Sequence, residues 1–333
     1  MLKSYKKYIS EGRLVVTWAT ILAFVMRFAS CFSSRFPTVK YDGGYLWNPI
    51  EPIITSSGLL SFVLSFACAF GISFFLLHIN TKHALIRTRT SLPFAFSILL
   101  LSSDSAFALF TPQYLAIFFF LLTLDKLLDA YQNPISARHS LYMGFYLALG
   151  SLFTPDVLMF LPLFWVGLLL MRSFRFKAIL SSLLGIGLVY WIVIFYFVYT
   201  NNIDAFYAPF VKWTEIDFSN LISLYGNLFY YMYLGFAIIT STIILAYNYM
   251  NNFKDKIRIR ACISFFNILL ITSGILYLFL PINQVLTKMI FLLSLSMIAA
   301  HFFALTQKRW QIYFFYTVVI IFLIFCGFFH FVY

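Results

Sequence analysis

Stretches of about twenty apolar residues recur along this chain from Leu14 almost to its last residue, separated by short loops. A helix of that length matches the hydrocarbon thickness of a bilayer. The sequence therefore predicts an all-α, polytopic integral membrane protein. The runs are 14–32, 53–77, 91–110, 113–130, 141–153, 156–171, 178–200, 224–249, 262–280, 284–305 and 312–332, which makes about eleven transmembrane helices with short hairpins in the middle. Runs 141–153 and 156–171 are short, so a single broken span competes with two helices there. The composition agrees: 62% of residues are hydrophobic and 10% charged, and the mean hydropathy is +0.90. An ordinary soluble domain is about half apolar and a quarter charged. One transmembrane domain over 1–333 is expected, with no soluble domain. No small-residue cleavage motif follows the first run, which reads as an uncleaved membrane helix.

The net charge of +12 has an explanation other than nucleic acid. With the N-terminus in the cytoplasm, the inner loops hold Lys3, Lys6, Lys7, Arg13, Lys82, Arg87, Arg89, Lys126 and Arg138. They also hold Arg172, Arg175, Lys177, Lys254, Lys256, Arg258, Arg260, Lys308 and Arg309, for 18 of the 23 basic residues in all. Only Arg35, Lys40 and Lys212 fall outside, while Arg27 and Lys288 lie within runs. Positive charge collects on cytoplasmic loops, so the expected address is a bacterial inner membrane, N-terminus cytoplasmic and C-terminus periplasmic. Two outer loops stand out, 33–52 and 201–223. The first is rich in Gly, Pro and aromatic residues and reads as irregular. The second alternates aromatic and acidic residues with apolar ones, which suits the membrane interface. No Walker A or dinucleotide glycine pattern is present, and no cofactor is expected. Cys31, Cys68, Cys262 and Cys326 lack metal or redox spacing, His78, His83 and His139 border inner loops, and His301 and His330 lie in apolar runs without metal-ligand spacing, so no metal is expected.

One tetrad occurs twice, 43 positions apart: Phe110-Thr111-Pro112-Gln113 and Phe153-Thr154-Pro155-Asp156. Thr caps helices well and Pro suits the first helical turn. Each tetrad is therefore expected to turn the chain at the outer surface, with Thr as the cap of the returning helix.

The candidate functional residues lie in that outer layer. Asp42 precedes Gly43-Gly44, a turn able to bring a carboxylate close to a ligand, and Glu51 follows in the same loop. Asp104 lies within a run, where an ionisable residue is a functional candidate by default. Asp156 opens a helix, where the dipole favours a carboxylate. Arg27 and Lys288 are membrane cations near the outer face, able to bind a lipid phosphate or to snorkel. A lysine so placed needs a counter-charge, and the expectation is either Asp104 or a bound lipid phosphate.

Residues 91–199 resemble a family of uncharacterised multi-pass inner-membrane proteins of Bacteroidetes. The likeness rests on Leu149-Gly150-Ser151-Leu152-Phe153, on Phe164-Trp165-Val166-Gly167-Leu168-Leu169-Leu170-Met171-Arg172 with Arg175, and on Leu184-Gly185-Ile186-Gly187-Leu188. That family has no established activity. The layout is more distantly similar to polytopic glycosyltransferases that use polyprenyl-phosphate sugars. This second resemblance implies a catalytic carboxylate in the first outer loop, Asp42 or Glu51, and a later basic residue on the lipid phosphate, Lys288 with Arg27. The chain departs from that class in its short first outer loop, without paired Asp residues, and in lacking a soluble C-terminal domain.

The expected function is glycosyltransferase-like handling of a lipid-linked sugar at the outer leaflet, for assembly of an envelope glycan. The alternative is a non-catalytic membrane subunit or transporter in which Asp104 and Lys288 form a buried polar pair. The expected partners are membrane lipids, among them a polyprenyl-phosphate-linked sugar, and not nucleic acid.

Overall fold

The computed structural model describes residues 5–12, 14–32, 43–55, 57–133, 135–211, 228–251, 255–279, 284–306 and 308–331. Among these the structure is helical without strands. After a turn of π-helix at Lys6–Ser10 come α1 (Leu14–Phe32), the short α2 (Glu51–Thr55), α3 (Gly58–His83) and α4 (Leu92–Leu100). Then follow α5 (Pro112–Asp129), α6 (Ser136–Ser151), α7 (Leu161–Leu170) and α8 (Phe176–Tyr199). The chain continues with α9 (Ile203–Val211), α10 (Leu228–Asn251), α11 (Ile257–Phe279), α12 (Gln284–Ala304) and α13 (Arg309–Phe331). Five are long and apolar enough to cross a membrane: α3, α8, α11 over 257–278, α12, and α13 over 309–326. Leu14–Ala29, Pro155–Leu170 and Gly235–Met250 are shorter apolar stretches. By length and composition these are the helices of a membrane-embedded protein.

Contacts between distant loops sort the helix ends into two layers. At one end the Gly44 amide donates to the Phe153 carbonyl at 2.7 Å, and the buried Trp47 packs on Phe110 with ring centroids 5.8 Å apart. The segment after Gly43 thus spans both Phe-Thr-Pro corners, which therefore share one end of the bundle, hereafter the corner end. At the other, basic end the Gln132 amide donates to the Met171 carbonyl at 3.0 Å. That bond joins the start of α6 to the end of α7 and makes 136–170 a hairpin, so the choice left open for 141–171 falls to two helices. Pro155 opens a 3₁₀ segment, Pro155–Phe160, that runs into α7.

A helix in lipid gains little by burying large apolar groups, and small residues mark its contact face. In α8 the buried side chains are Ala178, Ser182, Gly185 and Val189, while Leu180, Leu184, Leu188 and Trp191 face outward. The small stripe packs on α6 at very short range. A Cβ placed on Gly144 would lie 1.9 Å from the Ser182 carbonyl oxygen, and one on Gly185 would lie 2.3 Å from that of Leu141. The middle of the bundle belongs to α12, which packs on α11, α4, α10 and α5. Within its best 18-residue window 83% is buried, against 28% in α8 and 22% in α13, so those two helices are peripheral.

Candidate functional site

The apolar run 91–110 is not one helix. It stops at Leu100, and 101–111 runs irregularly at the corner end apart from a 3₁₀ turn at Ser105–Phe107. Local polar groups favour that break. Ser103 Oγ donates to the Leu100 carbonyl at 2.7 Å, and Asp104 Oδ1 accepts the Ala106 amide at 2.9 Å. Such short side chains compete with the helical ladder for backbone partners. Thr111 precedes a proline and is extended, at φ −128° and ψ 156°. It occupies the N-cap position of α5, as Thr154 does before Pro155, but neither hydroxyl makes the expected capping bond. Both hydroxyls are buried and unpaired. Capping by Thr is therefore corrected: the prolines end the preceding segment and seat the next helix without it.

Irregular backbone at membrane depth persists only where protein or a cavity satisfies it, and here the satisfying group is Arg27. It is 1% exposed. Its Nε donates to Ser102 Oγ at 2.9 Å and one terminal nitrogen to Ser65 Oγ at 3.1 Å. The other terminal nitrogen donates to the Leu101 carbonyl at 2.9 Å and to Tyr114 Oη at 2.8 Å. Tyr114 Oη donates on to the Phe107 carbonyl at 2.6 Å, and Ser65 Oγ lies 2.6 Å from the Ala108 carbonyl. A guanidinium with five donors in a fixed fork suits this fan of neutral acceptors. Arg27 braces the break from within.

On the α12 side, Lys288 Nζ pairs with Asp104 Oδ2 and lies 5.6 Å from the Phe107 ring centroid. Both partners are largely buried, at 12% and 20% side-chain exposure. Of the two counter-charges expected for Lys288, the protein supplies the carboxylate. Beside the pair, Ser103 Oγ and Tyr233 Oη are 3.2 Å apart, which ties α10 to the break. Lys288 and Tyr233 both line a pocket between α10, α11 and α12.

No protein-family model matches this chain, and neither do any curated proteins or solved structures. Function therefore has to be argued from these residues alone.

Of the other sequence candidates, Glu51 and Asp156 lie along the corner end. Asp42, and with it the first half of loop 33–52, lies outside the described residues, as do 212–223 of the second loop and Tyr333. Glu51 opens α2 with its amide on the Trp47 carbonyl at 2.9 Å. Asp156 lies in the first turn of Pro155–Phe160. The glycines after Asp42 have a packing reason. A Cβ on Gly43 would sit 2.1 Å from the Trp47 ring, and one on Gly44 2.3 Å from the Leu152 carbonyl oxygen.

At the basic end the structure assembles a cluster that the sequence reading passed over. Lys82 Nζ lies 2.7 Å from Asp125 and 2.8 Å from Asp129. His83 Nε2 is 3.0 Å from Asp125 Oδ1, and Arg258 donates to His83 Nδ1 at 3.1 Å. A guanidinium only donates, so Nδ1 accepts and the ring proton sits on Nε2. His83, Asp125 and Asp129 bring their ligand atoms within 4.8 Å of one another, close enough for a metal ion. The chemistry argues otherwise. Metal-bound histidine ordinarily donates its second N–H to an acceptor, whereas here that nitrogen faces a cation, and the Lys82 ammonium already lies on both carboxylates. The cluster is an ion-pair cage joining α3, α5 and α11. Beside it Asp255 holds Arg87 at 2.6 Å and approaches His301 Nε2 at 3.3 Å, without hydrogen-bond alignment in the second contact. Burial alone would raise the Asp255 carboxyl, but His301 and Arg87 together hold it below the usual carboxylate range. The signal for this end was two carboxylates four residues apart, Asp125 and Asp129, on the side where bases collect.

Proposed function

We propose that this chain is an eleven-pass bacterial inner-membrane protein that handles a lipid-linked sugar at the outer leaflet, as polyprenyl-phosphate-sugar glycosyltransferases do. In this reading the corner end is periplasmic and the basic end cytoplasmic, so the N-terminus is inside and the C-terminus outside. The 18 basic residues of the inner loops support that orientation. The likeness of 91–199 to Bacteroidetes inner-membrane proteins supports the address.

The observation that carries the reading is the Asp104–Lys288 pair at a break in a membrane run, beside a pocket. Interrupted helices at membrane depth place charged groups and loose backbone where a substrate can use them. Lys288 stabilises the departing lipid phosphate as the bond from phosphate oxygen to sugar breaks. Asp42, which precedes Gly43 in the sequence, takes the proton of the acceptor hydroxyl as its oxygen bonds to the sugar. Glu51 is the second carboxylate of that loop. Arg27 acts by holding the break in shape.

Mass spectrometry of lipid-linked sugars in cells with and without the gene tests this. Accumulation of one species in the deletion, reversed by the wild-type gene but not by Lys288→Ala or Asp42→Asn, is the expected result. An unchanged pool would sink the reading. Reporter fusions after Arg89, Arg175 and Tyr333 test the topology. A second reading, a non-catalytic subunit or transporter, draws on the same pair, because Asp104 neutralises Lys288 within the bundle. It requires that Lys288→Ala destabilise the protein by stranding Asp104, and that the double variant recover.

A further inference from the structure

The cations at the basic end fall into two groups. Lys82 and Lys126 lie on Asp125 and Asp129, Arg87 lies on Asp255, and Arg258 lies on His83 and Tyr131. Arg138, Arg172, Arg175 and Lys177 are exposed instead, and make no ion pair among the described residues. The chain offers them no nearby acid: the one carboxylate between Asp129 and Asp204 is Asp156, at the corner end. Packing brings the four cations to one opening. Helices α6 and α8 both start at the basic end and meet at backbone contact, Gly144 against Ser182 and Gly185 against Phe145. Trp165 of α7 joins them by donating to Ser182 Oγ at 3.1 Å. Arg138 precedes Phe145, and Arg175 precedes Ser182, by seven residues, or about two turns, which places both on the crossing side at its basic mouth. Arg172 follows Met171, whose carbonyl takes the Gln132 amide, so the end of α7 is stitched to the approach to α6. Its φ of 54° is left-handed, at a helix end where glycine is favoured. Phe174 and Phe176, 43% and 79% exposed, border the same opening.

We infer that this opening seats an anionic phospholipid with two phosphates on one headgroup, the cardiolipin class. Four cations without a carboxylate exceed what one phosphate balances, and charge-assisted hydrogen bonds from three arginines and a lysine suit two phosphates. Basic openings between membrane helices recognise lipid headgroups in this way. The two phenylalanines set apolar surface beside the cations, which suits acyl chains and not a soluble polyanion. Arg172 fits the same account, because it supplies charge at a backbone position that glycine would occupy more easily. The site lies at the opposite end of the bundle from the Asp104–Lys288 pair. It requires neither a sugar nor a particular orientation of the chain.

The test uses the full-length protein in detergent with four probes: tetraoleoyl cardiolipin, dioleoyl phosphatidylglycerol at twice the concentration to match its charge, dioleoyl phosphatidylcholine and inorganic pyrophosphate. Native mass spectrometry reads binding, and Tm reads folding. Cardiolipin should bind at least about tenfold more tightly than phosphatidylglycerol, and the other two probes should not bind measurably. Arg175→Gln and Lys177→Gln should each weaken cardiolipin binding about fivefold, the share of one cation beside an anionic headgroup. Arg172→Gly should keep or raise Tm, since glycine suits the left-handed turn, and still weaken cardiolipin about fivefold. The paired change Lys308→Gln with Arg309→Gln removes two exposed cations where α13 starts, and should leave binding as it was. Phosphatidylglycerol that matches cardiolipin at equal charge would overturn the inference, as the behaviour of an annular lipid. So would an equal loss in the α13 pair, which would mean that diffuse surface charge holds the lipid, or full binding in folded Arg172→Gly and Arg175→Gln. Pyrophosphate bound as tightly as cardiolipin would make the ligand a soluble polyanion and overturn the lipid assignment.

Discussion

Two glycines in α8, two residues apart, should respond in opposite ways to the same methyl group. Gly185 lies in the crossing with α6, where its Cβ would stand 2.3 Å from the Leu141 carbonyl oxygen and 2.8 Å from the Phe145 nitrogen. Gly187 would meet nothing within 4 Å. Restoring ordinary contact at residue 185 requires the helices to part by roughly 1 Å, and a gap of that size forfeits about a quarter to a half of each dispersion contact along the crossing. Overpacking of this kind costs about 1–3 kcal/mol. At residue 187 only helix propensity changes, in favour of Ala by up to about 1 kcal/mol. The propensity gain is common to both variants, so Gly185→Ala should be less stable than Gly187→Ala by the overpacking cost, about 1–3 kcal/mol. Reversible unfolding of the purified protein in mixed micelles, with SDS as the denaturant, gives both midpoints against wild type. If the two variants fall within about 0.5 kcal/mol of each other, the scale of a surface substitution, then α6 and α8 do not cross at backbone contact and the reasoning fails.

Further outcomes follow from the polar residues. Thr111→Val and Thr154→Val should be neutral or stabilising in the same assay, because each removes a buried unpaired hydroxyl; a loss above about 1 kcal/mol would mean that the hydroxyls do cap. Asp125→Ala should destabilise the basic end by about 1.5–3 kcal/mol, since Lys82 and His83 lose the buried carboxylate that both contact and keep only Asp129; stability within 1 kcal/mol of wild type would show the cage to be ornamental. For Asp255, whose folded value is depressed below the ordinary 3.8, the contribution to stability is complete above that ordinary value. It should fade as pH falls through the depressed folded value, so an acid titration of Tm should be flatter in Asp255→Asn than in wild type.

The apolar runs were legible because a bilayer demands long uninterrupted stretches, and the hairpins because Pro112 and Pro155 punctuate them. The break after Leu100 was not. Residues 101–109 contain neither Gly nor Pro, and the bonds that stabilise the irregular backbone come from Arg27, Ser65 and Tyr114, which are 74, 43 and 7 positions from the groups they bind. Only Asp104, a charge where none was affordable, hinted at it. The partner of Lys288 could be narrowed to two candidates because a buried ammonium needs a counter-charge, and the fold places one of them, Asp104, beside it. The basic-end cage stayed hidden for the opposite reason. Lys82, His83, Asp125 and Asp129 flank loops where solvated charge is expected, and the burial of His83 and Asp125 is a property of helix packing that no local pattern carries.

The bonds of Arg27 also set a timetable. The arginine is made with α1, but Ser102 lies 75 residues and Tyr114 87 residues further along the chain. At a synthesis rate of about 5–20 residues per second, Tyr114 leaves the ribosome roughly 4–17 seconds after Arg27. For that interval α1 must hold a cation in or near lipid without the acceptors that later surround it, at a penalty of about 2.5–3.5 kcal/mol if it lies at mid-membrane. The first helix can therefore settle at its final depth only after α5 has arrived. Until then the arginine waits at the membrane surface or in the care of the insertion machinery, and a pause in translation between α1 and α5 prolongs the most vulnerable stage in the birth of this protein.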